Sequence, residues 1–252
     1  MVVSLVTFNG EHELWDIHYN VMKDYVDEFI VVSFDKTFSG KEREAPVIDV
    51  DKYPRTKMIV HTEQDYEKYK DMAERSPNTV GASHWKTEFM QKESLRDTLT
   101  HLNDNDIVLV GDVDEVVDKS AILLPTPVKI RLEVYTYYLN NHSSEQFWGT
   151  TIVPYGILRQ LCLNHLRTSA PKSKLIHGWH FTSMGGKEKL EEKLTDSYTQ
   201  ESYATPTVLE NIGYNIQNGK DFLGRGFTYR KSEANWPQYL KDNSARYNHL
   251  LT

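Results

Sequence analysis

Cysteine is nearly missing from this chain of 252 residues: Cys162 stands alone, which excludes an internal disulfide and a zinc site built on cysteines. Nothing in that usage marks an oxidising compartment, and a cytoplasmic setting is the expectation. Long hydrophobic runs are missing as well. No stretch approaches the ~20 apolar residues that a membrane span needs, and the opening MVVSLVTF, without a basic leader, reads as a first strand. Positive charge is not in excess either. The formal net charge is −7, and Lys and Arg are interleaved with acidic residues, which argues against a nucleic-acid or anionic-membrane surface. Repeats and low-complexity tracts are absent, and no shift in composition divides the chain, so one domain over residues 1–252 is expected. Asn141-His142-Ser143 matches the glycosylation sequon, but with no secretory signal in view it reads as an accident of composition.

What is present is a pattern of short apolar runs alternating with helical spacing. Val2 to Phe8 reads as a buried strand, followed by a loop and by Leu14, Ile17, Val21, Met22 and Tyr25 at the spacing of a helix. Phe29 to Phe34 and Lys57 to His61 are further strand-like runs, as in an α/β domain with a mixed, mostly parallel sheet. Trp85, Phe89, Leu95, Leu99 and Leu102 define one face of a helix between Ala82 and Leu102 that delivers the chain into the strand Ile107 to Val110. Val128 to Leu139 and Thr150 to Leu158 read as an antiparallel pair joined by a polar loop, and Lys174 to Phe181 as a last strand. Gly185-Gly186 then marks a turn, Lys187 to Thr195 a charged helix, and the stretch from Trp236 a terminal helix with Pro237 in its first turn.

The segment GDVDEV, residues 111 to 116, follows an apolar strand and brings Asp112, Asp114 and Glu115 together. Their repulsion asks for a cation. In an extended segment residues i and i+2 point the same way, so Asp112 and Asp114 can offer oxygens to one divalent ion; an acidic turn capping the next helix is the alternative. Ligands of open α/β sheets bind beyond the carboxyl ends of the strands, which is where this cluster falls. An EF-hand is excluded because Val116 and Val117 stand where that loop needs an oxygen ligand and a glycine. A haloacid-dehalogenase-like phosphatase also carries an Asp-x-Asp pair after a strand, but the Gly-Thr turn that normally follows is absent. A nucleotide-sugar glycosyltransferase, whose carboxylates hold a metal bridging the donor's diphosphate, remains. HGWHF adds His177 and His180; the period of two places them on opposite faces of a strand, and His180, before the Gly-Gly turn, is the candidate imidazole ligand for a metal of Mn²⁺ character.

Seven segments together resemble glycosyltransferase family 17, in the family's order: GEHELWDIHYN, YVDEFIVVSFDKTFSGK, WKTEFMQK, NDIVLVGDVDEV, HGWHFTSMGGKEKLEEKL, NGKDFLGR and WPQYLKDNSARYNHL. The resemblance implies a GT-A-like, Rossmann-like fold, a nucleotide-sugar donor such as UDP-GlcNAc, a divalent metal (Mn²⁺ or Mg²⁺) and an inverting transfer to a glycan hydroxyl. The chain departs from the family's pattern at Gly10-Glu11 in place of Asn-Glu, at His18 and Lys92 in place of Arg, and at Ser33 in place of an acidic residue, with Asp35 two positions on.

On this reading Asp112, Asp114 and His180 coordinate the metal, Lys92 and Arg225 add phosphate contacts, and Glu11 and Asp35 approach the nucleotide. Lys92 and Arg225 read equally as solvated or salt-bridged cations. An inverting transfer needs one general base, for which Glu115, Glu145 and Glu188 are candidates; Glu115 matches the family's motif, with Asp114 beside it. Trp148 reads either as a platform for an acceptor sugar or as part of a hydrophobic core. A metal-dependent phosphatase and a glycan-binding module without catalysis are the rival classes.

Overall fold

A computed structural model describes residues 1–77, 85–194 and 205–252. It opens with strand β1 (Val2–Thr7), helix α1 (His12–Met22), β2 (Glu28–Phe34) and β3 (Thr56–His61). Short helices α2 (Glu63–Tyr66) and α3 (Lys70–Arg75) lead to α4 (Lys86–Ser94), and β4 (Ile107–Asp112) and β5 (Glu115–Val117) follow. The next elements are β6 (Val128–Thr136), β7 (Asn141–Ser143), β8 (Phe147–Pro154), α5 (Tyr155–Leu158), α6 (Leu163–Ser169) and β9 (Lys172–Thr182). The chain ends with α7 (Gly186–Glu192), α8 (Pro206–Gln217), β10 (Tyr229–Lys231) and α9 (Gln238–Asp242).

The ten strands of the described residues join one mixed sheet in the order β10-β7-β6-β8-β4-β1-β2-β3, with β9 beside β5 and β6, giving a Rossmann-like α/β fold. The longer ladders are parallel: β1 lies between β2 and β4, β3 extends that block, and β6 pairs parallel with β9. The pairing of β8 with both β4 and β6 is antiparallel, as the sequence predicts for the β6–β8 pair. Strand alternation sorts side chains between two cores. Leu109, Phe29 and Val31 pack on one face with Trp15 and Ile17 of α1 and with Trp236, Leu240 and Tyr247 from the end of the chain. Val108, Val110, Ile30 and Val32 pack on the other with Leu95, Leu163 and Leu166. Buried parallel strands carry apolar residues on both faces, so they were readable as unbroken runs.

The differences from the sequence reading are local. The predicted helix up to Leu102 is α4 followed by a 3₁₀ turn over Leu95–Leu99, and its predicted start at 82–84 lies outside the described residues. Leu158 belongs to α5 rather than to a strand, and β7 occupies part of the predicted polar loop. β9 is not the last strand: β10 adds to β7, with Tyr229 opposite Ser143. Pro237 caps α9 instead of entering it, and a 3₁₀ segment, Ser244–Leu250, replaces a continuous terminal helix. The sequon lies in β7, where the Asn141 amide donates to the Thr136 carbonyl at 2.9 Å. Among the described residues no helix is long and apolar enough to cross a membrane.

Candidate active site

β1 and β4 end together, with Thr7 opposite Asp112, and a cleft of about 780 Å³ opens at these carboxyl ends. Asn9, Glu11 and Leu14 line it from the start of α1, Phe38 and Lys92 from the side of α4, and Phe147, His180 and Met184 from β8 and the end of β9. Asp112, Asp114 and Glu115 lie at its floor. The chain does not run extended through this motif. Asp112 closes β4, Val113 and Asp114 form a turn, and Glu115 starts β5 opposite His180. The expected parallel display of Asp112 and Asp114 is therefore replaced by a turn that sends each carboxylate to its own partners.

Asp112 accepts hydrogen bonds from Thr7 Oγ1 at 2.6 Å, Arg167 Nη2 at 2.9 Å and Lys92 Nζ at 3.2 Å. Burial alone would raise its pKa, but Lys92 and Arg167 outweigh that and hold the carboxyl well below the usual range. Lys92 also pairs with Glu88 at 3.0 Å, and these two acids keep its ammonium above the ordinary lysine value against burial and the charge of Arg167. Asp114 faces His180, with Oδ2 3.4 Å from Nε2. Each stabilises the other's charge against burial, so the acid is lowered and the imidazole raised. The His180 ring stacks on Phe147 at 4.1 Å between centroids, and its buried Nδ1 has no hydrogen-bond partner among the described residues.

Glu115 lies in a slot between two glycines. A Cβ on Gly111 would stand 2.7 Å from Glu115 Oε2, and one on Gly149 would stand 2.7 Å from the same carboxyl group, so neither position has room for a side chain. Thr150 Oγ1 donates to Glu115 at 2.8 Å, and burial followed by the charge of Asp112 raises its pKa. His18 supports the turn from beneath. Its Nδ1 lies 3.2 Å from the Val113 carbonyl and its Nε2 3.0 Å from Ser4 Oγ. A carbonyl only accepts, so Nδ1 carries the proton and the hydroxyl donates to Nε2. Burial pushes this imidazole down to about 4, so it is neutral at pH 7.

The family model for glycosyltransferase family 17 matches residues 1–184, which include every strand of the described residues except β10 and the whole of the acidic motif. The chain belongs to glycosyltransferase family 17. No curated protein matches it. Family 17 membership makes the protein a glycosyltransferase, with a nucleotide sugar as donor and a glycan as acceptor, and it displaces the phosphatase and pure binding-module readings.

Several candidate residues stand elsewhere than the sequence suggested. Arg225 does not line the cleft: its guanidinium grips the fully buried Asp221 through Nε at 2.9 Å and Nη2 at 2.7 Å. Asp35 is likewise turned away and accepts from the Glu63 backbone at 3.0 Å and Tyr66 Oη at 3.2 Å, tying β2 to α2. Glu145 lies 3.8 Å from Arg225, Glu188 is exposed on α7, and neither lines the cleft, whereas Glu115 does. Glu11 lines it, accepts from the Asn9 backbone at 2.7 Å and is raised by burial. Trp148 is neither platform nor core: Nε1 donates to the Ser173 carbonyl, and Lys172 and Arg131 lie over its ring. His177 turns away from the cleft to Ser120 Oγ at 3.0 Å. Arg167 was missed, because nothing in LNHLRTS marks a residue that reaches Asp112 from α6. His18 did carry a signal: it is a polar residue on the buried face of α1 beside Trp15 and Ile17.

A metal finds a partial donor set here. Among the described residues no three His, Cys, Asp or Glu side chains converge to hold an ion, which corrects the expected Asp112, Asp114 and His180 triad. Asp114 and His180 still fit as a pair. Their 3.4 Å separation is long for a charged hydrogen bond and suits two ligands each about 2.0–2.2 Å from one ion. Magnesium-type ions are commonly bound by one or two protein groups completed by substrate phosphates.

Proposed function

We propose that the protein is an inverting, metal-assisted glycosyltransferase with a single GT-A-like domain over residues 1–252, moving N-acetylglucosamine from UDP to a glycan hydroxyl. The observation that carries this reading is the pairing of Asp114 with His180 in the same cleft as the cation-held Asp112. Asp114 and His180 would hold a divalent ion together with the donor, and such an ion supplies charge neutralisation to the departing diphosphate.

The protein's own groups set up the rest. Lys92 and Arg167 bring two cations to Asp112 at the end of β4, with Glu88 pairing Lys92 from α4, and these cations complement a diphosphate. His18 and Thr7 fix the turn and the carboxylate from which that arrangement is built. Glu115 is the general base of this reading. It lines the cleft, and its raised pKa makes its ionised form a stronger base toward an acceptor hydroxyl. No residue is assigned the part of a nucleophile beneath the anomeric carbon, so one displacement suffices. The test is the product: with UDP-GlcNAc, Mn²⁺ and an acceptor, NMR coupling at the new glycosidic bond shows the β-anomer made from the α-configured donor. A retained configuration removes this mechanism.

A further inference from the structure

We propose that the acceptor is an acidic saccharide, recognised by a lane of basic side chains that runs from Asp112 to Trp148. This rests on the transferase reading above and adds the chemical class of the acceptor. Basic residues interleaved with acids along the sequence converge here in space. Lys92 and Arg167 meet at Asp112. Lys129 is the next cation, and in the parallel β6–β9 ladder its register partner is Lys172, an arrangement of like charges that repels. Lys172 Nζ lies 4.7 Å from the centroid of Trp148, and the Arg131 guanidinium carbon lies 5.7 Å from it.

Trp148 is itself fixed by its 2.9 Å hydrogen bond to the Ser173 carbonyl, so its ring holds two cations in set positions. Among the described residues none of Lys129, Arg131 and Lys172 forms an ion pair with a carboxylate. Burial first, then the charge of Arg167, lowers the Lys129 ammonium below the usual lysine range; Glu115 opposes this, and Lys172 and Lys92 add to it. On a chain of net charge −7 this concentration asks for an anion. The donor does not fill the lane, since Lys129, Arg131, Trp148 and Lys172 do not line the cleft. An acceptor whose hydroxyl reaches Glu115 passes beside it, and a carboxylate or phosphate on that sugar accepts from Arg131 and Lys172 together.

Calorimetric titration tests this with two matched pairs: trigalacturonic acid against its methyl ester, and glucose 6-phosphate against glucose. At least one acid is expected to bind about tenfold more tightly than its neutral partner, the preference fading as salt is raised. Whichever pair shows it identifies the acidic group as carboxylate or phosphate. Lys172→Gln, at an exposed position, and the double variant with Arg131→Gln are expected to lose the preference while circular dichroism and melting show them folded. Equal binding of acid and neutral partner in both pairs, no binding by either acid, or a preference that survives in the folded double variant overturns the proposal. UDP-GlcNAc titrated into the unsubstituted protein checks the transferase reading separately. Failure there, with the acid preference intact, strikes that reading and leaves the basic lane standing.

Discussion

Asp16 on α1 and Asp112 at the end of β4 are both carboxylates surrounded by donors, yet they do opposite work. Asp16 accepts from Tyr53 Oη at 3.1 Å, Tyr239 Oη at 2.9 Å, Arg246 Nη2 at 3.1 Å and Tyr247 Oη. Its side chain is 8% exposed, and its donors close it on every side, so it fastens the last stretch of chain to the first helix. Asp112 draws its donors from β1, α4 and α6, keeps 28% exposure and opens onto the cleft. A satisfied buried carboxylate is therefore no mark of a site. Position at the open end of parallel strands, facing a cleft, is what separates the two.

The largest expected effects fall on the cleft side of this comparison. Asp114→Asn and His180→Ala should stay folded by circular dichroism yet lose at least about 100-fold in transfer rate, while His177→Ala loses little. Full activity in Asp114→Asn would erase the distinction between the two regions. On the closed side, Asp16→Ala should lower stability by about 2–4 kcal/mol in urea unfolding, because it orphans buried tyrosine hydroxyls. Its turnover per folded molecule should be unchanged, and a specific catalytic loss would show that the closed cluster also serves the reaction.

His18 sharpens the comparison through pH. Its pKa falls from 6.5 to about 4 on folding, so the unfolded chain binds the proton first. The stabilisation from keeping it neutral is complete above pH 6.5 and is lost as pH falls toward 4, amounting to about 3 kcal/mol in order of magnitude. His18→Phe, which keeps a ring against Trp15, should flatten that part of the stability profile, measured by urea unfolding between those two values. Identical profiles would contradict the assigned neutral state. The smallest effect is expected at Arg225. Arg225→Lys should cost about 1 kcal/mol by loosening the grip on Asp221, with the KM for the donor unchanged. A raised KM would return Arg225 to the phosphate site.

How much of this was legible in the sequence depends on the length over which a pattern extends. β1, β2 and β4 were readable because Val3, Ile30 and Val108 sit in runs buried on both faces. β5, β7 and β10, at three residues each, are too short to show a period, and α8 was overlooked although Thr205 and Pro206 mark its start. At the site, Asp112, Asp114, Glu115, Lys92, Glu11 and His180 all line one cleft, because strand ends collect what a motif announces. Arg167 and the turn at Val113–Asp114 were not legible. The first acts across 55 positions from α6, and the second depends on β5 folding back against β9 rather than on any residue in the motif.

The central claim is that Asp114 and His180 form half of a metal site that the donor completes. Titration calorimetry of UDP-GlcNAc into the protein with and without Mn²⁺, and of Mn²⁺ alone, addresses it directly. The prediction is weak binding of Mn²⁺ alone, donor affinity increased by about tenfold or more when Mn²⁺ is present, and loss of that increase in Asp114→Asn. Donor affinity that is the same with and without Mn²⁺ would contradict the claim.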